Sequence, residues 1–318
     1  MDAMPRFFAA AFLFTFASWA GLAAAQTQQA AQPRPSTGSL VRLTLPSAHV
    51  DQRPVDVWLP EGYTERARAG QRYQVLYMHD GQMLFDPTTT WNRQAWRVDA
   101  VLDRLMREGK VEPTIVVGVW NNGKLRAAEY FPQKALAYLP ERGRAAFAAA
   151  RLEGGPRADA YLRFLVEELK PEIDRRFATR SDPAGTFIMG SSMGGLISVY
   201  AFAEYPQVFG GAAGLSTHWV GSFEANAAIP LAMFNYLGAA LPPPSGRRLY
   251  LDRGTATLDA LYGPHQSFVD LIVRERGYTD ANFLSRVFDG ADHSENAWAE
   301  RLEHPLLFLL GRRAAPAR

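Results

Sequence analysis

The stretch 190–194, GSSMG, fits the pattern G-x-S-x-G, and its flanks are as informative as the pattern itself. An apolar run, 187–189, enters the turn, and apolar residues at helical spacing follow it: Leu196, Ile197, Val199, Tyr200 and Phe202. A strand, a sharp glycine-bearing turn and a helix in succession hold a serine hydroxyl clear of a sheet, where it can attack an electrophile. We therefore predict Ser192 as a nucleophile. The alternative is a glycine–serine turn that fits the pattern by chance.

A nucleophilic serine needs a base, and the chain offers six histidines: His49, His79, His218, His265, His293 and His304. Such a base belongs on a loop after a late strand. The residues around His293 fit this place, because the predicted last strand, 284–288, precedes it and a helical pattern follows it. We predict His293 as the base; the alternative is a loop residue that caps the last helix.

The acid that would orient His293 is sought after the preceding strand, 248–254. Asp259 lies on the loop beyond that strand, from which a carboxylate can reach the imidazole. Asp252 is the alternative, but it lies within the strand, so its direction depends on one residue of register. We prefer Asp259 and keep Asp252 open.

An oxyanion formed by attack of Ser192 requires two N–H donors. The strand 73–78 ends in the sequence HDGQMLFD, at a place that suits one half of an oxyanion hole. We predict the backbone N–H groups of Gln82 and Met193 as the donors. The side chains of His79 and Asp80 are expected to support this loop rather than to react.

Five residues near strand ends are predicted to line a substrate cleft: Trp91, Trp120, Asn121, His218 and Trp219. The tryptophans would suit an aryl or sugar ester, while the alternative for each of them is a place in the core. Arg126 and Glu129 are expected to form an ion pair that pins a loop. Residues 133–156 lack sharp periodicity and are placed where an insertion could cover the active site.

The pattern of elements indicates the fold class. Two short apolar runs, 41–45 and 55–59, each precede a proline and predict an antiparallel pair at a sheet edge. Beyond them strands alternate with helices, with helices predicted at 96–107 and 161–177. This alternation is typical of an α/β protein with a mainly parallel twisted sheet and helices on both faces. We expect one such domain over 39–313.

The first residues predict export. Arg6 precedes an apolar run, 7–19, and Ala23-Ala24-Ala25 fits a cleavage site, which together indicate a signal peptide over 1–25. Residues 26–38, rich in Gln, Pro and Ser, are expected to be a disordered lead-in. The mature protein is predicted to be periplasmic or secreted, without membrane insertion.

The composition excludes several classes of function. The chain contains no cysteine, which excludes disulfides, thiol catalysis and cysteine-bound metals. A formal charge of +2 gives no electrostatic case for binding nucleic acid. Metal-ligand spacings, phosphate loops and dinucleotide motifs are absent from the sequence, so we expect neither metal nor cofactor.

Several of these segments together resemble the Putative esterase family of α/β-hydrolases, which includes enterochelin, feruloyl and acetyl-xylan esterases, esterase D and mycobacterial mycolyltransferases. The matching segments are HDGQMLFD (79–86), 91–99, IVVGVWNN with RAAEYFP (115–132), GSSMGG (190–195), YLDRGTATLD (250–259) and GADHSENAW (290–298). The resemblance implies the triad Ser192, Asp259 and His293, with Gln82 and Met193 as oxyanion donors. One departure is that Thr257 stands where many members have the acid.

The resemblance implies a serine esterase that works through an acyl-enzyme, and the predicted signal peptide implies that it is exported. It fixes the reaction better than the substrate, since members act on siderophore lactones, cinnamoyl and acetyl sugars and short acyl thiol conjugates. Two alternatives remain open: an acyltransferase of the same fold, and a non-catalytic binding module on a hydrolase scaffold.

Overall fold

The computed structural model describes residues 31–312, whose centre is one eight-stranded sheet. Its strands are β1 (Ser39–Thr44), β2 (Pro54–Leu59), β3 (Gln74–His79), β4 (Thr114–Val119), β5 (Thr186–Ser191), β6 (Gly211–Leu215), β7 (Arg248–Arg253) and β8 (Phe283–Val287). Their order is β1-β2-β4-β3-β5-β6-β7-β8. β1 pairs antiparallel with β2, β2 pairs antiparallel with β4, and the remaining pairs are all parallel. The predicted fold class and the antiparallel pair at the edge are confirmed.

Helices cover both faces of this sheet. They are α1 (Tyr63–Arg68), α2 (Val98–Arg107), α3 (Arg126–Tyr130), α4 (Glu141–Arg151), α5 (Ala158–Arg163), α6 (Lys170–Arg176), α7 (Met193–Glu204), α8 (Ala228–Ala240), α9 (Gly263–Glu275), α10 (Glu295–Arg301) and α11 (Glu303–Leu310). A π-helical segment, Phe164–Leu169, joins α5 to α6 without a gap. The long helix predicted over 161–177 is therefore continuous, with π-helical geometry in its middle part. Short 3₁₀ turns follow β3 (Gly81–Met83) and β7 (Thr257–Leu261).

The core forms two layers because successive side chains of a strand point to opposite faces. Along β3, Val75 and Tyr77 join the layer under α5, α7 and α8, whereas Leu76 and Met78 join the layer under α2 and α11. β3, β4 and β5 are buried along their whole length. Burial on both faces explains why these strands are continuous apolar runs without alternation.

The register of the sheet brings three strand ends together. Ser191 of β5 pairs with Leu215 of β6, and Leu215 pairs with Asp252 of β7. The loops that leave these parallel strands therefore start at the same level, at the edge where ligands bind in open α/β sheets.

The segment before β1 differs from the expected disorder in the part that the structure describes. Backbone N–H groups of Arg34 and Ser36 donate to the carboxylates of Asp86 and Asp99, at 3.0 and 2.5 Å. The indole of Trp58 donates to the carbonyl of Thr37 at 2.7 Å. Residues 34–37 are thus fixed by carboxylates of other segments, contacts that composition cannot reveal.

The predicted signal peptide, 1–25, lies outside the described residues. Within residues 31–312, the structure has no helix that is both long enough and apolar enough to cross a bilayer.

Candidate active site

Ser192 lies at the turn between β5 and α7 with a backbone of φ 55° and ψ −122°. A positive φ is uncommon for a residue with a Cβ and marks a strained turn. The N–H of Ser192 donates to the carbonyl of Leu215 at 2.9 Å, which holds the turn at the end of β6. The predicted strand, turn and helix are all present.

Glycines make this turn possible. A Cβ added to Gly190 would lie 2.7 Å from the backbone of Gly194, because the two chain segments cross there in direct contact. A Cβ on Gly194 would in turn lie 3.3 Å from side-chain atoms of His79 and Asp80. The start of α7 therefore abuts the turn that follows β3, which brings the region of Gln82 close to that of Met193.

His293 and Asp259 are joined by a short contact: Nδ1 of the imidazole lies 2.6 Å from Oδ1 of the carboxylate. Asp259 is buried, and the His293 side chain is largely so. The N–H of His293 donates to the hydroxyl of Thr257 at 2.9 Å, and the imidazole meets the Trp298 ring edge to face. The contact with Asp259 and the packing against Trp298 therefore fix the orientation of the imidazole ring.

The second oxygen of Asp259 is held as firmly as the first. It accepts hydrogen bonds from the N–H of Gly254 at 2.6 Å and from the hydroxyl of Ser216 at 2.5 Å. Ser216 in turn accepts from Arg301 at 2.7 Å and from the Trp298 indole at 3.0 Å. Sequence reasoning missed Ser216 and Arg301, since no local pattern connects residues 85 positions apart.

Asp252, the alternative acid, faces other partners. Its Oδ1 accepts from Arg301 at 3.1 Å, and its Oδ2 accepts from the Tyr250 hydroxyl at 3.0 Å. Burial outweighs the attraction of Arg301 and raises the pKa of Asp252 to about 6. Because its backbone still pairs with Leu215, Asp252 stays inside the sheet, whereas the chain beyond Gly254 turns back and carries Asp259 to His293.

The turn after β3 is braced by a bidentate ion pair. Arg126 donates to both carboxylate oxygens of Asp80 at 2.7 and 2.8 Å, and Asn121 donates to one of them at 2.7 Å. Burial opposes ionisation of Asp80, but Arg126 and Asn121 outweigh it and lower the pKa. The side chain of Gln82 accepts the N–H of Asn121 at 3.2 Å. The supporting role expected for Asp80 matches these contacts.

The ion pair predicted between Arg126 and Glu129 is wrong. Arg126 binds Asp80, and Glu129 instead receives two hydrogen bonds from Arg53, at 2.6 and 2.7 Å, in a fully buried pair. Both side chains bind partners that are distant in sequence, by 46 and 76 residues, rather than each other. The order of the strands in the sheet brings these distant partners close in space.

A cavity of about 210 Å³ opens beside the serine; we call it the inner cavity. It is lined by Arg126, Ala127, Phe131, Phe147, Arg151, Leu152, Ser192, Met193, His218, Gly221, Phe223, Leu258 and His293. Ser192 and His293 thus share one cavity, and the segment 133–156 contributes Phe147, Arg151 and Leu152 to its wall.

The predicted cleft residues have different surroundings. His218 lines the inner cavity. The indole of Trp219 is buried and donates to Gln266 at 2.9 Å, and that of Trp120 donates to Asp56 at 2.8 Å. Trp91 is 85 % exposed, and Asn121 binds Asp80. The aromatic wall of the inner cavity comes instead from Phe131, Phe147 and Phe223, which the sequence analysis did not single out.

Tyr262 contacts both His218 and His293. Its hydroxyl lies 2.6 Å from Nδ1 of His218, and its ring meets the His293 imidazole edge to face. Burial, reinforced by the charges of His293 and Arg151, lowers the pKa of His218 to about 3. Burial likewise lowers the pKa of His79 to about 3. Both imidazoles are therefore neutral at physiological pH.

Because His79 and His218 are neutral in the folded protein, we expect acid to lower the free energy of unfolding. Their pKa values in the folded protein lie below the ordinary value of 6.5, so their contribution is complete above about pH 6.5. As the pH falls toward 3, the unfolded chain binds protons that the folded chain does not. We expect the free energy of unfolding to fall by about 1.4 kcal/mol per pH unit for each histidine, measured by urea denaturation across this range.

A matched comparison isolates one histidine. His79→Gln keeps an amide that can bond the Tyr161 hydroxyl, now 2.9 Å from Nδ1, and it removes the titrating group. Asp252 acts in the opposite direction, because its raised pKa lowers the free energy of unfolding as the pH rises through about 6. Both wild type and His79→Gln contain Asp252, so its effect cancels in the comparison. Equal slopes for wild type and His79→Gln would contradict the prediction.

Beyond the inner cavity lies a larger one, of about 720 Å³, which we call the outer cavity. It is lined by α4, the loop before α8 and the start of α8, and three residues belong to the walls of both cavities: Phe147, Arg151 and Phe223. A ligand with its reacting group at Ser192 has room to extend outward past these three side chains.

Comparison with solved structures shows which known proteins share this fold. Solved structures of similar fold include a ferulic acid esterase (TM-score 0.63, 19 % identity, 86 % of this chain and 98 % of that one). The enterobactin esterase FES of Shigella flexneri gives a TM-score of 0.61 at 17 % identity, over 87 % of this chain and 60 % of that one. At such identities the likeness establishes the fold.

Relatives detected by sequence include an endo-1,4-beta-xylanase/feruloyl esterase of Xylanibacter ruminicola, 28 % identical over 49 % of this chain and 18 % of its own length. The ferri-bacillibactin esterase BesA of Bacillus subtilis is 28 % identical over 57 % of this chain. This chain therefore spans less than two thirds of either relative, since it covers 60 % of BesA.

The family model described as Putative esterase matches residues 47–309, which contain every strand except β1 and all the residues of the site described above. The chain belongs to the Putative esterase family of α/β-hydrolases.

Proposed function

We propose that this protein is an exported serine carboxylic-ester hydrolase with the triad Ser192, Asp259 and His293. The observation that carries the proposal is the contact of 2.6 Å between Asp259 and His293, on a loop that shares the inner cavity with a strained Ser192. Serine, carboxylate and histidine follow the chain order usual for this fold.

Each triad residue has one task in this proposal. Asp259 accepts a hydrogen bond from Nδ1–H of His293, which keeps the proton on Nδ1 and leaves the lone pair of Nε2 free to take the hydroxyl proton of Ser192. The serine oxygen then bonds to the ester carbonyl carbon, and the carbonyl oxygen becomes an oxyanion bound by the N–H groups of Met193 and Gln82. His293 returns the proton to the departing alcohol, which leaves an acyl group on Ser192.

Water completes the cycle. His293 removes a proton from the water molecule as its oxygen attacks the acyl carbon, and it then returns the proton to Ser192 as the carboxylic acid leaves. Met193 is the first residue of α7, so its N–H has no partner within that helix and is available to the oxyanion. The brace of Arg126 and Asn121 on Asp80 supports the turn that would present the N–H of Gln82.

The size of the two cavities favours an ester whose acyl or alcohol part is bulky. The inner cavity accommodates a small acyl or alkyl group, and the outer cavity leaves room for a ring or a longer chain. Aromatic and siderophore esters, which the names of the related esterases mention, are compatible with that space. Export is proposed from the signal-peptide pattern at 1–25, with a periplasmic or secreted product.

Turnover of p-nitrophenyl esters tests the proposal. We expect the purified protein to hydrolyse a series from acetate to decanoate, with a preference for the acyl length that the inner cavity admits. Release of nitrophenol is measured beside a no-enzyme control and beside heat-denatured protein. A folded protein that hydrolyses none of these esters, and no methyl ferulate or siderophore ester either, would contradict the proposed function.

A further inference from the structure

Arg151 occupies the passage between the two cavities. It is the last residue of α4, it lines both cavities, and its guanidinium lies over the ring of Phe223 at 4.8 Å. A group bound at Ser192 that extends outward must pass this pair.

The charges around the passage leave Arg151 as the cation available to a ligand. The lining of the inner cavity includes two arginines and two histidines and contains no carboxylate side chain. Arg126 is neutralised by its bidentate pair with Asp80, and His218 is uncharged because burial lowers its pKa to about 3. In contrast, none of the ion pairs found among residues 31–312 includes Arg151.

The outer cavity carries one acidic side chain, Glu224. No ion pair joins Glu224 to Arg151 in the described part of the chain. Glu224 lines the outer cavity but not the inner one. The passage is therefore positive at its inner end, beside the serine, and acidic farther out.

The contact with Phe223 leaves the guanidinium able to bind an anion. A cation–π contact does not consume the N–H donors of the group, so they remain available to a ligand. Those donors match the two oxygens of a carboxylate, and such charge-assisted pairs are stronger in a partly enclosed site than in water. Phe147 and Phe223 add an apolar wall to either side.

We propose that Arg151, in cation–π contact with Phe223, is a subsite for an anionic group of the substrate, so that the preferred esters carry a carboxylate near the scissile bond. The inference rests on the proposed function and adds the substrate class. Arg151 acts on binding and specificity, and it takes no part in proton transfer.

Matched pairs of esters test this subsite. Mono-p-nitrophenyl succinate and p-nitrophenyl butyrate differ mainly by a terminal carboxylate on the acyl half. The butyrate esters of 4-hydroxybenzoate and 4-hydroxybenzamide differ by a carboxylate on the leaving half. We expect wild type to prefer the charged member of at least one pair, and the pair that shows it identifies which half extends toward Arg151.

Arg151→Gln is expected to lower kcat/KM for the preferred charged ester by about 10- to 100-fold, with a much smaller change for its neutral partner. Arg151→Lys should recover part of the loss, because it keeps the charge without the planar fork. Arg144→Gln is the matched control, since Arg144 is exposed on the same helix and lines neither cavity. Equal losses for charged and neutral esters in Arg151→Gln would overturn the inference.

A binding measurement separates failure of the subsite from failure of the proposed function. In a Ser192→Ala background, calorimetry with mono-p-nitrophenyl succinate and with the butyrate of 4-hydroxybenzoate reports affinity without turnover. We expect the charged ester that binds to lose about tenfold or more in affinity on adding Arg151→Gln. If neither charged ester binds more tightly than its neutral partner, the subsite does not exist, even where Ser192-dependent hydrolysis of neutral esters continues.

Discussion

Replacing Ser192 with alanine should reduce kcat for every ester that the protein hydrolyses by about 10⁴- to 10⁶-fold. The substitution removes the oxygen that forms the acyl-enzyme in the proposed mechanism. The Cβ is retained, so the strained backbone at φ 55° meets the same steric demands as before. The free energy of unfolding should therefore change little.

Ser191→Ala is the control for this experiment. Ser191 precedes the nucleophile in the same turn, but it is the last residue of β5 and is buried in the sheet. We expect a change in kcat of less than about tenfold, because its hydroxyl has no role in the proposed chemistry. Turnover that persists in Ser192→Ala and disappears in Ser191→Ala would show that the wrong serine has been identified.

Asp259→Asn should reduce kcat by about 10³- to 10⁴-fold while leaving the fold intact. The amide oxygen can still accept the N–H of Gly254, which turns the amide NH₂ toward Nδ1 of His293. An NH₂ group is a donor, so Nδ1 must become an acceptor and the proton moves to Nε2. In that tautomer His293 cannot take the proton of Ser192.

Asp252→Asn provides the opposite pattern. Arg301 would keep its buried position without the carboxylate that now lies 3.1 Å away, and the free energy of unfolding should fall by about 3 kcal/mol. At a temperature where the variant is folded, kcat should remain within about tenfold of wild type, because Asp252 does not contact His293. Kinetics and chemical denaturation of both variants would distinguish the two aspartates, and a larger loss of kcat in Asp252→Asn would reverse their assignment.

The positions of Ser192 and His293 could be predicted because each follows from local sequence. An apolar strand, a glycine turn and a periodic helix identify the place of Ser192, and the last strand and helix flank the loop of His293. The choice between Asp252 and Asp259 could not be made with the same security. It depends on where β7 ends and on how the chain turns back after Gly254, which the register with β6 and the 3₁₀ turn at Thr257–Leu261 determine.

The wall of the cavity was less accessible to prediction. A tryptophan near a strand end can face a cleft or the interior, and Trp219 faces Gln266 because α9 packs against its loop. Phe147 and Arg151 come from a segment without clear periodicity, so nothing in its pattern distinguishes the side that faces Ser192. Long-range polar pairs, such as Arg126 with Asp80, depend on strand order, which the sequence leaves open between several arrangements.

Covalent labelling by a fluorophosphonate is the sharpest test of Ser192 as the nucleophile, because the probe reacts with a serine only when a neighbouring base and an oxyanion hole activate it. We expect one adduct per wild-type molecule, located by mass spectrometry on the peptide that contains Ser192, absent in Ser192→Ala and strongly slowed in Asp259→Asn. A folded wild-type protein that takes up no probe, or that takes up as much after Ser192→Ala, would contradict the assignment of Ser192 as the nucleophile.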